Sequence, residues 1–481
     1  MGLDPEYIRR NINRFGKKEA RTLLSELITS SEDIEKRREA LKVYSTLDEG
    51  KDFRFYEQLF LTDEDKTIRH KAGVCLKANY ILNKKLLVLL RFILFEHISP
   101  DIASKLFAIE LLNLINKKRT RNILKDYLGK LLDSLSEDKR SEILTVLKDS
   151  KFDSTLSSQI IDILINLTLA EYYEQICHYN LTLMDGVIVQ LNCEGANLSS
   201  ILDIEGIKRL CHLVHLNLHR NQIKEIMRVD YLKELRSLIL SENLIERMNN
   251  YEEIQNLREL VLTSNHIREI APTGLAKLTK LSLDRNQISE IKNLEGLNNL
   301  EVLNLSHNNI KEIKGLDPLT NLRNLNLSFN NISRISGLDS LRKLQILYLS
   351  NNYIEKITGL DNVSELKVLT LSNNKIGQIE NLTKLINLKK LEISDNRIMK
   401  INGLESQVNL QELFLDRNLV KKIEGLENLR SLIILFLERN QIESFKPDDI
   451  RHLENLNFIF LNENPLNAES RKFYDKKTRF P

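Results

Sequence analysis

The sequence predicts an α + α/β solenoid: an N-terminal antiparallel helical array followed by a curved solenoid with a parallel concave β-sheet. Residues 1–176 place apolar side chains at helical spacing and show no strand alternation. From about residue 188 onward, one short template recurs almost to the end of the chain. The length of 481 residues is too great for one ordinary core, so a repeat array or several domains is expected.

The N-terminal region is predicted to form four to five antiparallel helix pairs. Apolar residues recur at i, i+3, i+4 and i+7 in the segments 18–28, 35–47, 66–82 and 100–115. Acidic residues that favour helix N-termini stand before or at the predicted helix starts: Asp33, Asp65, Asp101, Asp138 and Asp153.

One stretch of this region is similar to a known repeat. "DKTIRHKA", with Asp65, Arg69 and Ala72, resembles the second helix of a HEAT repeat. "DIEKRREA" (33–40) is a looser echo of it, 32 residues earlier. The resemblance implies that 1–176 is a HEAT-like α-helical repeat domain, which offers a possible second protein-binding surface.

The template of the second region is L-x-x-L-x-L-x-x-N-x-I-x-x-I. Nine of the eleven spacings between successive template asparagines are 22 residues, one is 21 and the last is 24. So many matches in one register predict a repeat solenoid. The asparagines are Asn221, Asn243, Asn265, Asn286, Asn308, Asn330, Asn352, Asn374, Asn396, Asn418, Asn440 and Asn464.

Each slot of the template has a physical role, illustrated by "LNLHRNQI". The alternating leucines Leu216 and Leu218 are expected to point into the core, as the period of two in a strand requires. Asn221 ends the strand, where its amide can donate to and accept from backbone groups of the turn and of the neighbouring coil. An asparagine ladder inside the core is therefore predicted. A short Gly-Leu element, as in Gly315-Leu316, returns the chain on the outer side.

On these motifs, residues 188–466 resemble a leucine-rich repeat array of the 22-residue, Sds22-like class, with about 13 coils. The first coil departs from the template, because Ala196 stands where asparagine is expected. We expect 177–187 to be a short rigid junction and 467–481 a C-terminal cap or tail. The resemblance implies a concave face that grips a folded protein, which in the Sds22-like family is a Ser/Thr phosphatase catalytic subunit. Regulation of a small GTPase is an alternative, since leucine-rich arrays serve there too.

An aromatic cluster marks the predicted concave face. The central outward slot of the last three coils holds Phe414, Phe436 and Phe460, and adjacent strands lie roughly 4.8 Å apart, so the three rings should stack. Apolar anchors with a charged rim are typical of a binding site. The predicted protein-binding residues are Tyr348, Glu392, Phe414, Asp416, Ile434, Phe436, Glu438, Arg439, Phe458 and Phe460.

Three other interpretations of the cluster remain open. Stacked aromatic neighbours stabilise a sheet without any partner. The tail (471–481) could fold over the cluster, although its Phe473 and Tyr474 are better suited to closing the open end of the core. A homodimer contact is the third interpretation, but a monomer is expected.

The sequence offers no catalytic, cofactor-binding or metal-binding residues. It contains no phosphate loop, GxSxG, HExxH or kinase signature. His215 and His219 share a strand face but lie four strand residues, roughly 13 Å, apart, too far to bind one metal ion. We therefore predict a non-enzymatic scaffold or regulatory subunit without cofactors. An enzyme of unrecognised type, with its site at the inter-domain junction, is the remaining alternative.

Charge and cysteine content indicate the setting. The net charge is +3, from 70 basic and 67 acidic residues, which argues against general binding of nucleic acid or membrane surfaces. The basic run "NKKRTR" (116–121) fits a solvated hairpin better than a phosphate contact. The apolar stretch 86–95 is too short to span a bilayer, and no secretory signal is evident. Four cysteines without a CxxC pair favour a reducing, cytoplasmic location.

Overall fold

The computed structural model describes residues 4–96, 102–148, 158–227 and 229–477. Two compact units divide the chain. One comprises the helical part up to Val189 together with Glu205–Leu210. The other comprises Gln190–Ile204 and the chain from Cys211 onward. The predicted fold class, a helical array followed by a parallel β-solenoid, is confirmed.

Helices build the first unit. Within the described ranges they are α1 (Pro5–Arg10), α2 (Ile12–Ser30), α3 (Ile34–Thr46), α4 (Phe53–Thr62), α5 (Lys66–Tyr80), α6 (Lys84–Phe95), α7 (Ile102–Ile115), α8 (Lys118–Asp133), α9 (Glu137–Lys148) and α10 (Ser158–Gln175). Neighbours in the chain pack together, as α2 with α3, α4 with α5 and α6 with α7. Each of these helices buries an apolar side of its surface, for example Leu24 and Ile28 of α2.

Two of the predicted acidic caps close helix N-termini. Asp33 accepts from the backbone N–H of Lys36 (3.1 Å), and Asp65 accepts from Thr67 (2.9 Å) and Ile68 (3.0 Å). Asp138 lies in the first turn of α9 rather than before the helix. Asp101 and Asp153 lie outside the described residues.

The HEAT-like residues contribute to packing at one helix junction. The Arg69 guanidinium donates to the carbonyl of Asp63 (2.6 Å), and Ala72 is buried. The HEAT-like assignment stays a prediction.

Fourteen strands form one sheet in chain order. They are β1 (Asn180–Met184), β2 (Val187–Asn192), β3 (His215–Asn217), β4 (Ser237–Ile239), β5 (Glu259–Val261), β6 (Lys280–Ser282), β7 (Val302–Asn304), β8 (Asn324–Asn326), β9 (Ile346–Tyr348), β10 (Val368–Thr370), β11 (Lys390–Glu392), β12 (Glu412–Phe414), β13 (Ile434–Phe436) and β14 (Phe458–Phe460). From β2 onward every pairing is parallel. The segment 177–187 contains β1 and the turn that follows it, and the rigidity predicted for this segment stays a prediction.

The template leucines form the core of the second unit. The central residue of each three-residue strand, from β3 to β14, is buried, as are the leucines and isoleucines of the other template slots apart from the half-buried Leu456. Short 3₁₀ helices occupy Ile201–Asp203, Ile207–Arg209 and Pro447–Asp449, and the other return segments are turns. Each coil therefore contains one short strand and a short return segment. The outward-facing residues of the strands supply most of the side chains on the concave face.

The predicted asparagine ladder is present. Asn330 donates through Nδ2 to the carbonyls of Leu305 in the preceding coil and Leu327 in its own (both 3.0 Å), and its Oδ1 accepts from Ile310 (3.0 Å). The same pattern recurs from Asn221 to Asn464. At the first coil, where Ala196 replaces asparagine, Asn221 supplies the contacts by bonding back to Cys193 and Leu198 (both 2.9 Å). The ladder thus satisfies backbone groups that turn through the interior.

A helix ends the array. In α11 (Ala468–Lys477), the rings of Phe473 and Tyr474 lie 5.1 and 6.4 Å from that of Phe445. The Tyr474 hydroxyl accepts from the backbone N–H of Leu461 (3.1 Å), beyond the last strand. These contacts cover the apolar core at its C-terminal end.

Gln407 is a polar residue in a core slot. Leucines hold the equivalent slot in the flanking coils, at Leu385 and Leu429, and all three side chains are fully buried. Nε2 of Gln407 donates to the carbonyl of Leu382 (2.7 Å), but Oε1 has no hydrogen-bond partner in the described structure. An unsatisfied buried acceptor costs roughly 1–3 kcal/mol.

Replacing Gln407 by leucine is therefore expected to raise the free energy of unfolding by about 1–2 kcal/mol. The Leu382 carbonyl keeps its backbone bond from Leu385 (2.9 Å), so the substitution orphans no acceptor. Denaturant unfolding followed by far-ultraviolet circular dichroism measures the change. Leu385→Gln, which introduces the same polar group one coil earlier, should lower stability. An unchanged or lower stability of Gln407→Leu would contradict the account.

Candidate protein-binding face

The three predicted phenylalanines form one stack on the concave face. Strand register places Phe414 beside Phe436 and Phe436 beside Phe460. Their ring centroids are 4.7 and 4.2 Å apart, with interplanar angles of 11° and 10°. All three side chains are half-buried. This phenylalanine stack is a row of parallel rings whose edges face solvent.

Two further apolar side chains widen the stack. Ile434 and Phe458 are in register with each other, one column away on the same strands. Phe458 is 55% exposed, and Ile434 is half-buried. The described tail residues pack in α11 against Phe445, and they leave Phe458 exposed. Five aromatic or aliphatic side chains therefore meet at the surface of the last three coils.

Lys390 joins the stack to its acidic neighbours. Its ammonium lies 4.9 Å from the centroid of the Phe414 ring, a cation–π contact. It also pairs with Glu392 (2.8 Å) and Glu412 (3.4 Å). Burial acts to lower the pKa of Lys390, but the two carboxylates outweigh it, so the pKa lies above its ordinary value. The ammonium thus stays charged and covers one end of the stack.

Carboxylates and arginines form the rim on the other side. Asp416 accepts from the hydroxyl of Ser394, and Glu438 accepts from Nδ2 of Asn462 (2.6 Å). Arg439 pairs with Glu463 (2.8 Å), which raises the pKa of the arginine. The ion pair is exposed, so its own contribution to stability is small.

Tyr348 belongs to a second part of the face. Register separates it from Phe414 by Thr370 and Glu392. It lines a groove of about 450 Å³ over the middle coils together with Thr370, Val368, Ser350 and Phe329. The structure thus brings Phe414, Ile434, Phe436, Phe458 and Phe460 together and places Tyr348 beside them rather than among them.

A ring pair at this groove was not predicted from the sequence. The rings of His307 and Phe329 stack at 4.0 Å with an angle of 10°, and Phe329 is 46% exposed. Both residues directly precede a ladder asparagine, where the backbone is left-handed (φ 54° and 56°). Burial and the charge of Arg285 lower the pKa of His307, which keeps the ring neutral near pH 7. The one sequence signal for this pair is that His307 and Phe329 share a template slot, the position directly before the ladder asparagine.

The predicted histidines take part in ordinary surface contacts. His215 is exposed, and His219 lies 3.9 Å from both Glu194 and Glu242. Across the described ranges, no group of three histidine, cysteine or acidic residues is arranged to hold a metal ion. No helix in the same ranges is both long and apolar enough to cross a bilayer.

Family comparisons match the middle of the array. Residues 320–362 and 364–406 each match the family model "Leucine Rich repeats (2 copies)". Residues 255–310 and 276–332 each match "Leucine rich repeat". No curated protein matches the chain.

Solved structures share the architecture. An internalin (inlF) from Listeria monocytogenes str. 4b F2365 is 29% identical, with a TM-score of 0.52, over 69% of this chain and 90% of the internalin. The leucine-rich repeat protein LIC12759 of Leptospira interrogans is 25% identical, with a TM-score of 0.49, over 58% of this chain and 80% of that protein. The template, the ladder, the two family models and the internalin agree: the array has the fold of a leucine-rich repeat solenoid, and a helical region precedes it in the chain.

Proposed function

We propose that this protein is a non-enzymatic interaction scaffold or regulatory subunit that binds a folded protein on the concave face of its leucine-rich repeats. The phenylalanine stack is the observation that carries the proposal. Leucine-rich repeat domains typically bind proteins, and exposed aromatic side chains with a polar rim are typical of interface anchors. Stacking alone would account for the sheet contacts of the rings, but not for Ile434 and Phe458 beside them.

The partner class follows from the resemblance rather than from the geometry. The Sds22-like spacing makes a Ser/Thr phosphatase catalytic subunit the first class to test. The helical domain offers a second surface, so an adaptor between two proteins is included in the proposal. The four free cysteines fit a monomer in a reducing, cytoplasmic compartment.

Replacing Phe436 by serine is expected to weaken partner binding at least about tenfold, because it removes the central ring of the anchor. Serine fits the slot, since Ser282 occupies the same column. The matched control is Ile386→Ser, which removes an exposed apolar side chain from a return segment outside the concave face, at a slot where Ser364 occurs naturally one coil earlier. Purified variants are compared as baits in extracts of the source cell, with circular dichroism to verify folding. The proposal fails if folded Phe436→Ser retains the same partners in the same amounts.

A further inference from the structure

Charge is unevenly distributed along the concave face. Each coil exposes four slots there: the two outward strand residues and the two residues directly before the ladder asparagine. On the coils of β3–β6, three carboxylates balance three lysines or arginines, and the slots of β7–β10 hold no carboxylate, lysine or arginine. The histidines in these slots are His215, His219 and His307. On the coils of β11–β14, six carboxylates meet three cations, a net charge of −3. The carboxylates are Glu392, Asp395, Glu412, Asp416, Glu438 and Glu463, and the cations are Lys390, Arg417 and Arg439.

The three cations are already engaged within the face. Lys390 pairs with Glu392 and Glu412, Arg417 with Asp395 (3.2 Å), and Arg439 with Glu463 (2.8 Å). This leaves the two carboxylates beside the stack, Asp416 and Glu438, with the neutral donors Ser394 and Asn462. Among the described ion pairs, neither of the two has a cationic partner. The phenylalanine stack is therefore bordered by two carboxylates that form no ion pair of their own, although the charge of Glu438 acts on the nearby Arg439 and helps to raise the pKa of that arginine.

The stack also has one ring face suited to a cation. Its rings follow one another from strand to strand across the sheet, so its two outer ring faces lie on Phe414 and Phe460. The chain's own Lys390 covers the first, at 4.9 Å. The second points past β14, the last strand of the sheet, and Phe460 is only half-buried. Because the face of an aromatic ring attracts cations, this end can accept a lysine or arginine from outside.

We propose that the partner segment docking on the stack is basic and apolar. It places an aliphatic or aromatic side chain across Phe436, and it places lysines or arginines against Asp416, Glu438 and the outer face of Phe460. The stack is two strand spacings long, roughly 9 Å, which about six residues of helix or three extended residues span. An acidic segment meets like charge and is rejected. This inference rests on the proposed function and specifies the chemistry of the partner.

The test uses a library of random 12-residue peptides displayed on phage and selected against the full chain, with Phe436→Ser as the subtractive target. Enriched peptides are then synthesised, and their affinities are measured by fluorescence anisotropy. We expect peptides that combine an aromatic or aliphatic residue with at least two lysines or arginines. The double variant Asp416→Asn/Glu438→Gln, which retains both hydrogen-bond acceptors, should weaken their binding about tenfold at low salt. Raising the ionic strength from about 0.05 to 0.5 M should weaken binding to the unaltered chain but hardly affect binding to the double variant.

The control variant changes net charge equally elsewhere. Asp361→Asn/Glu365→Gln removes two exposed carboxylates from a return segment and should leave affinity within about twofold, because charges beyond the Debye length are screened. Peptides that require Phe436 but lack basic residues, or that ignore the Asp416/Glu438 change, overturn the inference and leave the proposed function standing. Failure to select any Phe436-dependent peptide also overturns the inference. The proposed function is then decided separately by the capture experiment with Phe436→Ser.

Discussion

Replacing Gly425 by alanine is expected to lower the free energy of unfolding by about 2–5 kcal/mol, through backbone strain and overpacking together. Gly425 has a φ of 72°, a conformation that costs an L-residue roughly 1–2 kcal/mol. A Cβ at this position would lie 2.1 Å from the carbonyl oxygen of Ile401 in the preceding coil. This distance is far inside van der Waals contact, and the obstacle is backbone, so the two coils would have to separate.

Two matched substitutions divide this cost into its parts. Gly296 also has a positive φ, 86°, but a Cβ there would meet no atom within 4 Å. Gly296→Ala should therefore cost only about 1 kcal/mol, the strain without the clash. In other coils asparagine holds the slot of Gly425: Asn293 and Asn381 have φ values of 60° and 58°, and each Nδ2 donates to the isoleucine carbonyl one coil earlier (2.8 and 2.7 Å).

Gly425→Asn should consequently cost about 1 kcal/mol less than Gly425→Ala, because its amide can bond the Ile401 carbonyl and asparagine tolerates a positive φ. Denaturant unfolding monitored by circular dichroism compares the three variants, since the chain has no tryptophan to report by fluorescence. Equal destabilisation by Gly425→Ala and Gly296→Ala would show that coil contact plays no part.

Most of the fold could be predicted from the repeat period. A spacing of 22 residues fixes which leucines face inward, so strand register and the phenylalanine stack followed from Phe414, Phe436 and Phe460 alone. The stack could be predicted because adjacent coils differ only by one strand spacing. The contact between the Lys390 ammonium and the Phe414 ring could not be predicted from the sequence. A lysine side chain has several rotamers, and the rotamer that Lys390 adopts depends on its ion pairs with both Glu392 and Glu412.

The sequence pattern also did not predict the backbone conformation of the residue before each ladder asparagine. The residue before every ladder asparagine is left-handed, with φ from 52° to 59°. Glycine or asparagine signals that conformation, but asparagine holds the slot only at Asn351 and Asn373, and most coils have residues such as Arg220 or Phe329 there. The stacked coils hold these residues in place against their local preference. For this reason the shared template slot of His307 and Phe329 was not enough to predict that their rings stack over a groove.

Replacing Asn330 by alanine is expected to lower the free energy of unfolding by about 2–5 kcal/mol, because the change removes several buried hydrogen bonds at once. The side chain is 5% exposed. The Leu305 and Leu327 carbonyls keep other donors, Asn308 (3.1 Å) and Asn352 (3.0 Å), so they lose one bond each. The N–H of Ile310 loses its Oδ1 acceptor (3.0 Å) and is left buried. The orphaned donor should dominate the cost.

The neighbouring Asn331 provides the control. Its side chain makes no hydrogen bond in the described structure, and its backbone N–H donates to Ile310 (2.8 Å) whatever the side chain, so Asn331→Ala should be nearly neutral. Amide hydrogen exchange then separates a local from a global effect: protection of the Ile310 N–H should fall first, before that of distant coils, because each coil contacts only its neighbours. A loss of protection spread evenly from Asn221 to Asn464 would argue against a local ladder.

Asn330→Asp provides a second test of the hydrogen-bond account. The aspartate carboxylate can accept from the N–H of Ile310, but it cannot donate to the two leucine carbonyls. At neutral pH this variant should therefore lower the free energy of unfolding at least as much as Asn330→Ala does.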